Sequence, residues 1–178
     1  MTHPLAHAPG PVTIHTVQQE SLKVLLVKAG GRDFAIDVGL IRAIERPAHR
    51  VRLPGAPAYV RGVVEVRGLA VAVVDLAMRL GLSDAPAPGT PKEQHAAVVV
   101  VDSSEPVGFA VDALGEVVAI TPSSLTDLGP RGAAAGLRAI TPDGAVLLEV
   151  EPLVDGRPLE PALGVLEPAP DAHEEASA

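Results

Sequence analysis

Cysteine and tryptophan are absent from this 178-residue sequence, and phenylalanine and tyrosine together number three. Without thiols there is no disulfide-stapled scaffold and no thiolate metal centre, and the simplest expected home is the cytoplasm. The shortage of aromatics removes the stacking platforms of single-strand nucleic-acid binders. A formal charge of −8 argues in the same direction, against a phosphate backbone as partner. No apolar run approaches the roughly 20 residues of a membrane helix, and the opening MTHPLAHAPG has neither the basic start nor the apolar stretch of a leader. The strings GxxxxGK(S/T), GxGxxG, HExxH and GxSxG are missing too. P-loop, dinucleotide, zincin and nucleophile-elbow chemistry therefore have no foothold.

What is present is aliphatic. Hydrophobic residues make up 47% of the chain, mostly Val, Leu, Ile and Ala, and β-branched stock of this kind favours strands. Short apolar segments recur at 24–27, 34–38, 69–74, 96–101, 107–111, 117–120 and 145–150, separated by Gly, Pro, Asp and Ser. Phe34, Ile36 and Val38 alternate with Ala35 and Asp37, the pattern of a half-buried strand. The run 98–101 is apolar on both faces and predicts a central strand covered on each side. Two short helices are expected. Leu40, Ile41 and Ile44 share a helical face that must end by Arg46, ahead of Pro47. Asp75 can cap a second helix through Met78 and Leu80, closed by Gly81. Many strands with few helices predict a mainly β fold of barrels or a sandwich, and no β-α-β alternation supports a Rossmann or P-loop fold.

Two Pro-rich ends frame this region. Residues 1–20 and 157–178 are expected as tails, the second acidic and Pro-rich, around a single domain at 21–156. Charge is unevenly spread: residues 23–67 carry nine basic side chains against four acidic ones, a local +5 that leaves −13 on the rest. A basic docking face for an acidic partner is one reading, scattered solvated arginines the other. Asp75 and Asp112 each end an apolar strand, and as a pair they offer one alternative function, a small β-barrel ligand-binding or hydrolytic domain. Strand-ending aspartates more often cap turns. His49 and His95 are expected to be exposed and structural, and the glycine-rich stretch 129–136 to be a mobile loop. His3 and His7 have a helical metal-ligand spacing that Pro4 and Pro9 spoil. The tetrapeptide AITP occurs twice, at 119–122 and 139–142, as a recurrent strand ending.

The most specific text is IDVGLIRAIERPAHRVRLPGAPAYVRGVVEVRG, residues 36–68, followed by LAVAVVDL. Ile36-Asp37, Ala43-Ile44, the Pro-containing turn at 54–62, Glu65-Val66-Arg67-Gly68 and the strand 72–76 resemble the heart of CheW-like domains. PVGFAVDALGEVVAI resembles the hairpin further along, and the likeness runs from about Leu22 to Val154. Glycines 62 and 68 fit close backbone approach or positive φ. The resemblance implies two small five-stranded, SH3-like β-barrels packed together. It also implies a non-catalytic adaptor, without cofactor or metal, that links the cytoplasmic tip of a methyl-accepting chemoreceptor to the regulatory domain of a CheA-type histidine kinase. Such a protein is cytoplasmic and recruited to membrane-bound receptor arrays. The partner-binding residues implied are Ile41, Ala43, Ile44, Arg61, Gly62, Glu65, Val66, Arg67 and Gly68, with a groove around Ile41, Ile44, Val66 and Arg67. Two positions depart from the family pattern: Glu65 replaces an asparagine and Ala43 a glutamate.

Overall fold

The computed structural model describes residues 21–46, 50–83, 95–103 and 105–166. His3, His7 and His49 lie outside them, as do residues 1–20 and 167–178. The chain opens with an antiparallel pair, β1 (Leu22–Ala29) and β2 (Arg32–Asp37), joined by Gly30 and Gly31. Both glycines have positive φ, 57° and 77°, as a two-residue hairpin turn requires. A single 3₁₀ turn at Val38–Leu40, held by Asp37 accepting the Gly39 N–H at 2.8 Å, leads into β3 (Ile41–Glu45). The helix expected over residues 40–46 is therefore a strand. Isolated, so short a helix is dominated by its nucleation cost, whereas β-branched Ile41 and Ile44 gain pairing partners in Val101 and Val99.

Next come β4 (Val60–Val66), β5 (Leu69–Asp75), α1 (Leu76–Arg79), β6 (Ala97–Val101), β7 (Val107–Val111) and β8 (Ala113–Ile120). Asp75 does cap α1, accepting the Met78 N–H at 3.0 Å, and Gly81 closes it at φ 69°. The C-terminal part holds β9 (Thr126–Asp127), α2 (Gly129–Ala134), β10 (Leu137–Ile140), β11 (Val146–Leu148), α3 (Val150–Val154) and α4 (Leu163–Leu166). The glycine-rich stretch is thus helix and not mobile loop. Pro130 occupies the first turn, where its missing N–H costs nothing, and the alanines that follow are the best helix formers. The strand expected to reach residue 150 stops at Leu148, because Val150 already begins α3.

The fold is mainly β. Six strands form one mixed sheet in the order β8-β1-β2-β11-β10-β9, and five form another in the order β3-β6-β7-β5-β4. The expected pair of five-stranded barrels is corrected in two respects: one sheet has six strands, and neither ladder closes on itself. The five-stranded sheet still wraps an interior. Ala43 on one end strand and Val64 and Val66 on the other meet Val71, Val73, Val98, Val100 and Ala110 in one buried cluster. Between the sheets lies the largest core, built on Phe34, Ile36, Leu76, Leu80, Val99, Val101, Phe109 and Leu153. The sequence AVVVV of β6 now makes sense: Val98 and Val100 face the sheet's own interior, Val99 and Val101 the neighbouring sheet.

The chain does not leave the core at 157, where a tail was expected. Ala162 is fully buried, Leu159 and Val165 pack beside it, and the Glu160 N–H donates to the Ala134 carbonyl at 3.1 Å. Arg79, itself buried, ties this segment down. Its guanidinium donates to the carbonyls of Leu153 (3.0 Å), Pro152 (2.9 Å) and Arg157 (2.8 Å) and lies 4.9 Å from the Tyr59 ring centre.

Candidate functional site

The residues singled out by sequence cluster around β4. Its hairpin with β5 pairs Val66 with Leu69, leaving Arg67 and Gly68 as a two-residue turn. Their φ values, 51° and 79°, carry the two positive dihedrals of a type I′ turn, whose twist matches the flanking strands. Among the described residues Arg67 is the single non-glycine residue with positive φ. Its side chain is exposed, and no described side chain pairs with it, neither Glu65 nor Glu45 included. The hairpin thus holds Arg67 in a strained conformation with its guanidinium in solvent and no partner among the described residues.

Gly62 has a different task. Its φ is 133°, the register slips beside it, and a Cβ there would stand 2.5 Å from the Val51 carbonyl oxygen. The glycine lets residues 50–53 close on the edge of β4, where Val51 and Val63 exchange two hydrogen bonds of 2.9 and 2.8 Å.

Of the expected groove, Ile41 and Ile44 belong to β3, Val66 ends β4 and Arg67 begins the turn after it; β3 and β4 are the two ends of the five-stranded order, and the wrapped sheet brings them to one buried cluster through Ala43, Val64 and Val66. Ala43 and Val66 face the interior, so they support the surface without forming it. Ile41 is half-buried against the inter-sheet core, while Ile44 (46% exposed) and Glu65 reach solvent.

Arg61 is committed inward. Its Nε donates to Asp75 Oδ2 at 2.9 Å, and its Nη2 donates to the same oxygen. His95 Nε2 lies 3.2 Å from that oxygen, and Asp75 Oδ1 is occupied by the Met78 N–H. Burial alone would push the Asp75 carboxyl up; the hydrogen bonds from His95, Met78 and Arg61 together outweigh it and hold the group at about 2. Beyond the imidazole, His95 Nδ1 sits 3.5 Å from Asp112 Oδ1 without a hydrogen bond, and Asp112 Oδ2 accepts the Gly30 N–H at 2.8 Å. Arg50, half-buried beside Arg61, has its guanidinium pKa lowered, by burial first and then by Arg61, against the pull of Asp75.

His95, expected to be exposed, is therefore buried (5% exposed) between the two aspartates. The signal was its position: a histidine two residues ahead of a strand that is apolar on both faces starts inside the molecule. Asp75 and Asp112 do come near one another, but the Asp75 oxygens already receive four donors. Those donors are all internal, three on Oδ2 and one on Oδ1, and the carboxylate caps α1 and anchors Arg61. Among the described residues no group of three His, Asp or Glu side chains converges as a metal site.

Against known proteins, the model of the CheW-like domain matches residues 23–157. The curated "Probable chemotaxis protein CheW" of Rhizobium etli is 28% identical over 147 residues, covering 79% of this chain and 92% of that protein. The chemotaxis protein CheW of Rhizobium meliloti is 29% identical, covering 72% and 83%, and that of Bacillus subtilis 26%, covering 62% and 67%. The crystal structure of the scaffolding protein TtCheW from Thermoanaerobacter tengcongensis shares the fold, with a TM-score of 0.66 at 20% identity over 78% of this chain and 97% of that one. With a family model spanning most of its length and a matching fold, the chain belongs to the CheW-like domain family.

Proposed function

We propose that this protein is a chemotaxis coupling adaptor: a non-catalytic scaffold that joins methyl-accepting chemoreceptors to the regulatory domain of a CheA-type histidine kinase. The observation that carries this reading is the family match over residues 23–157, together with curated relatives that are chemotaxis proteins and are covered along 92% and 83% of their length. The geometry agrees with it. The conspicuous ionisable groups, Asp75, Arg61 and His95, are spent on one another inside the fold, whereas the partnerless ones, Arg67 foremost, stand on the surface. Ile44, Glu65, Arg67 and Gly68 are the contact positions in this reading; Ala43, Gly62 and Val66 shape the backbone beneath them, and Arg61 braces β4 from within. No helix among the described residues is long and apolar enough to cross a membrane, and the adaptor works in the cytoplasm, brought to membrane-bound arrays by its receptor.

Affinity capture from cells of the source organism tests the reading. A histidine kinase and a methyl-accepting receptor should be retained with the tagged protein; retention of neither, at expression matched to the native level, refutes it. The hydrolytic alternative resting on Asp75 and Asp112 has no support in the geometry, since Asp75 is buried among internal donors and Asp112 accepts the Gly30 N–H.

A further inference from the structure

We propose that the outer edge of the five-stranded sheet, from Val51 and Leu53 across Val63 to Ala72, is a docking strip for an acidic amphipathic helix presented by a partner. The register defines the strip. Val51 pairs with Val63, Val63 with Ala72, and Ala72 lies beside Val107, so the four form one cross-strand row on one face of the sheet. At its inner end Val107 is buried in the core between the sheets. Toward its outer end the row becomes exposed: Val63 and Ala72 are half-buried, Leu53 is 46% exposed, and Val51 at 71% is the most exposed large hydrophobic side chain among the described residues. The inter-sheet core thus runs out into solvent along β5, β4 and residues 50–53. Soluble surfaces seldom leave such a continuation bare without a use for it.

The occupant follows from shape and charge. Residues 50–53 add a single bridge to β4, and Pro54 follows at once, so a strand added outside them would find too few free backbone groups to pair with. Docking must be carried by side chains. Three neighbouring strands span about 10 Å, the rise of roughly two helical turns, so aliphatic residues at i, i+3/i+4 and i+7 of a helix can follow the row. The rim is basic. Arg52 separates Val51 from Leu53 and is exposed, without a partner among the described residues, as Arg67 is at the other end of β4. Glu65 is the one carboxylate on β4. Both arginines belong to the +5 stretch in a chain of net −8. Acidic residues flanking the helix's apolar stripe would meet them, with apolar contact at the centre and charge at the rim.

The strip rests on the adaptor reading only in that a partner exists to supply the helix. Two synthetic peptides of about 18 residues, alike in their leucines and differing in Glu or Lys at every flanking position, serve as probes of the full 178-residue chain by amide chemical-shift titration. The acidic peptide should shift amides of residues 50–53, 62–65 and 70–72 saturably. The basic peptide should not, and the response should weaken roughly tenfold or more in Val51→Ser, Leu53→Ser and Arg52→Glu. These three side chains are exposed, so the variants should keep the parental melting temperature. Shifts elsewhere only, equal response to both peptides, or unaltered affinity in the variants would overturn the proposal. So would the same amides shifting with the concentration of the protein alone, which would assign the strip to a second copy. Capture from cells separates the two readings. If parent and variants retain kinase and receptor equally, the strip fails and the adaptor stands; if the parent retains neither, the adaptor reading fails.

Discussion

At φ 51° the Arg67 backbone is in a region where an L side chain crowds the following carbonyl, at a cost of roughly 1–2 kcal/mol. Asparagine tolerates that conformation and is the favoured residue at the first central position of a type I′ turn ahead of glycine. Arg67→Asn should therefore recover about half of the cost, ~0.5–1 kcal/mol, and nothing internal offsets it, because the arginine has no described partner. For a domain of this size that is a rise of about 1–4 °C in Tm, with the urea midpoint moving up at unchanged m. The same change removes a guanidinium that we place in the receptor contact, so retention of receptor and kinase should fall roughly tenfold or more. Gain of stability with loss of binding is the signature of strain kept for recognition. A variant that loses stability would show that Arg67 makes an internal contact, and one that is stabilised yet holds its partners as before would remove the hairpin from the docking surface.

Three further outcomes follow from the buried polar groups and the chain end. Asp75 is held at about 2 against an ordinary 3.8; a depressed carboxyl stabilises the fold above its unfolded value and loses that contribution as pH falls through the folded one. Between about pH 4 and pH 2 the parent should lose about 2 kcal/mol that Asp75→Asn does not, in urea unfolding followed by circular dichroism. Arg79→Met leaves the carbonyls of Leu153, Pro152 and Arg157 without their donor and should cost about 2–4 kcal/mol in the same assay. Ending the chain after Leu166 should leave Tm within a few degrees, whereas ending it after Arg157 uncovers the packing around Ala162, Leu159 and Val165 and should cost roughly 2–3 kcal/mol.

Seven of the strands lie at least in part where alternation and β-branched runs place them, because burial of one or both faces writes directly into sequence. What escaped was set by partners distant in the chain. Ile41 and Ile44 sit at a spacing compatible with helix, and only the ladder offered by Val99 and Val101, more than fifty residues on, makes them a strand. The two AITP strand endings are where β8 and β10 stop, at Ile120 and Ile140, but the four residues of β10 itself, Leu137–Ile140, are too short a pattern to stand out as a strand. Arg61 looks like a surface cation in the +5 stretch, and its commitment to Asp75 depends on the β4–β5 pairing. Positive φ at Arg67 had a local sign in the following glycine, but an arginine in the first place of a type I′ turn runs against propensity, as strained functional positions do.

The polar cluster of His95, Asp75 and Arg61, with Asp112 beside it, contributes more to uniqueness than to stability. Buried charges lose hydration that their mutual attraction offsets only in part, so an apolar replacement of the imidazole should alter stability by no more than about 1–2 kcal/mol. Register is another matter. β6 is Ala-Val-Val-Val-Val, buried at every position, and sliding it by one residue against β3 and β7 exchanges valine for valine at its centre. Apolar patterning, which fixes register where the two faces differ, acts here only at the strand's ends, where Ala96 or Asp102 would enter. His95, two residues ahead of the strand, reaches Asp75 through Nε2 at 3.2 Å in one alignment only. His95→Leu should then remain folded, with near-parental urea stability, while amides of β6 and of its neighbours β3 and β7 broaden or double as shifted pairings become populated. A single sharp set of resonances with Val99 still opposite Phe109 and Ile44 would show that side-chain packing alone sets the register, and that the histidine is dispensable to it.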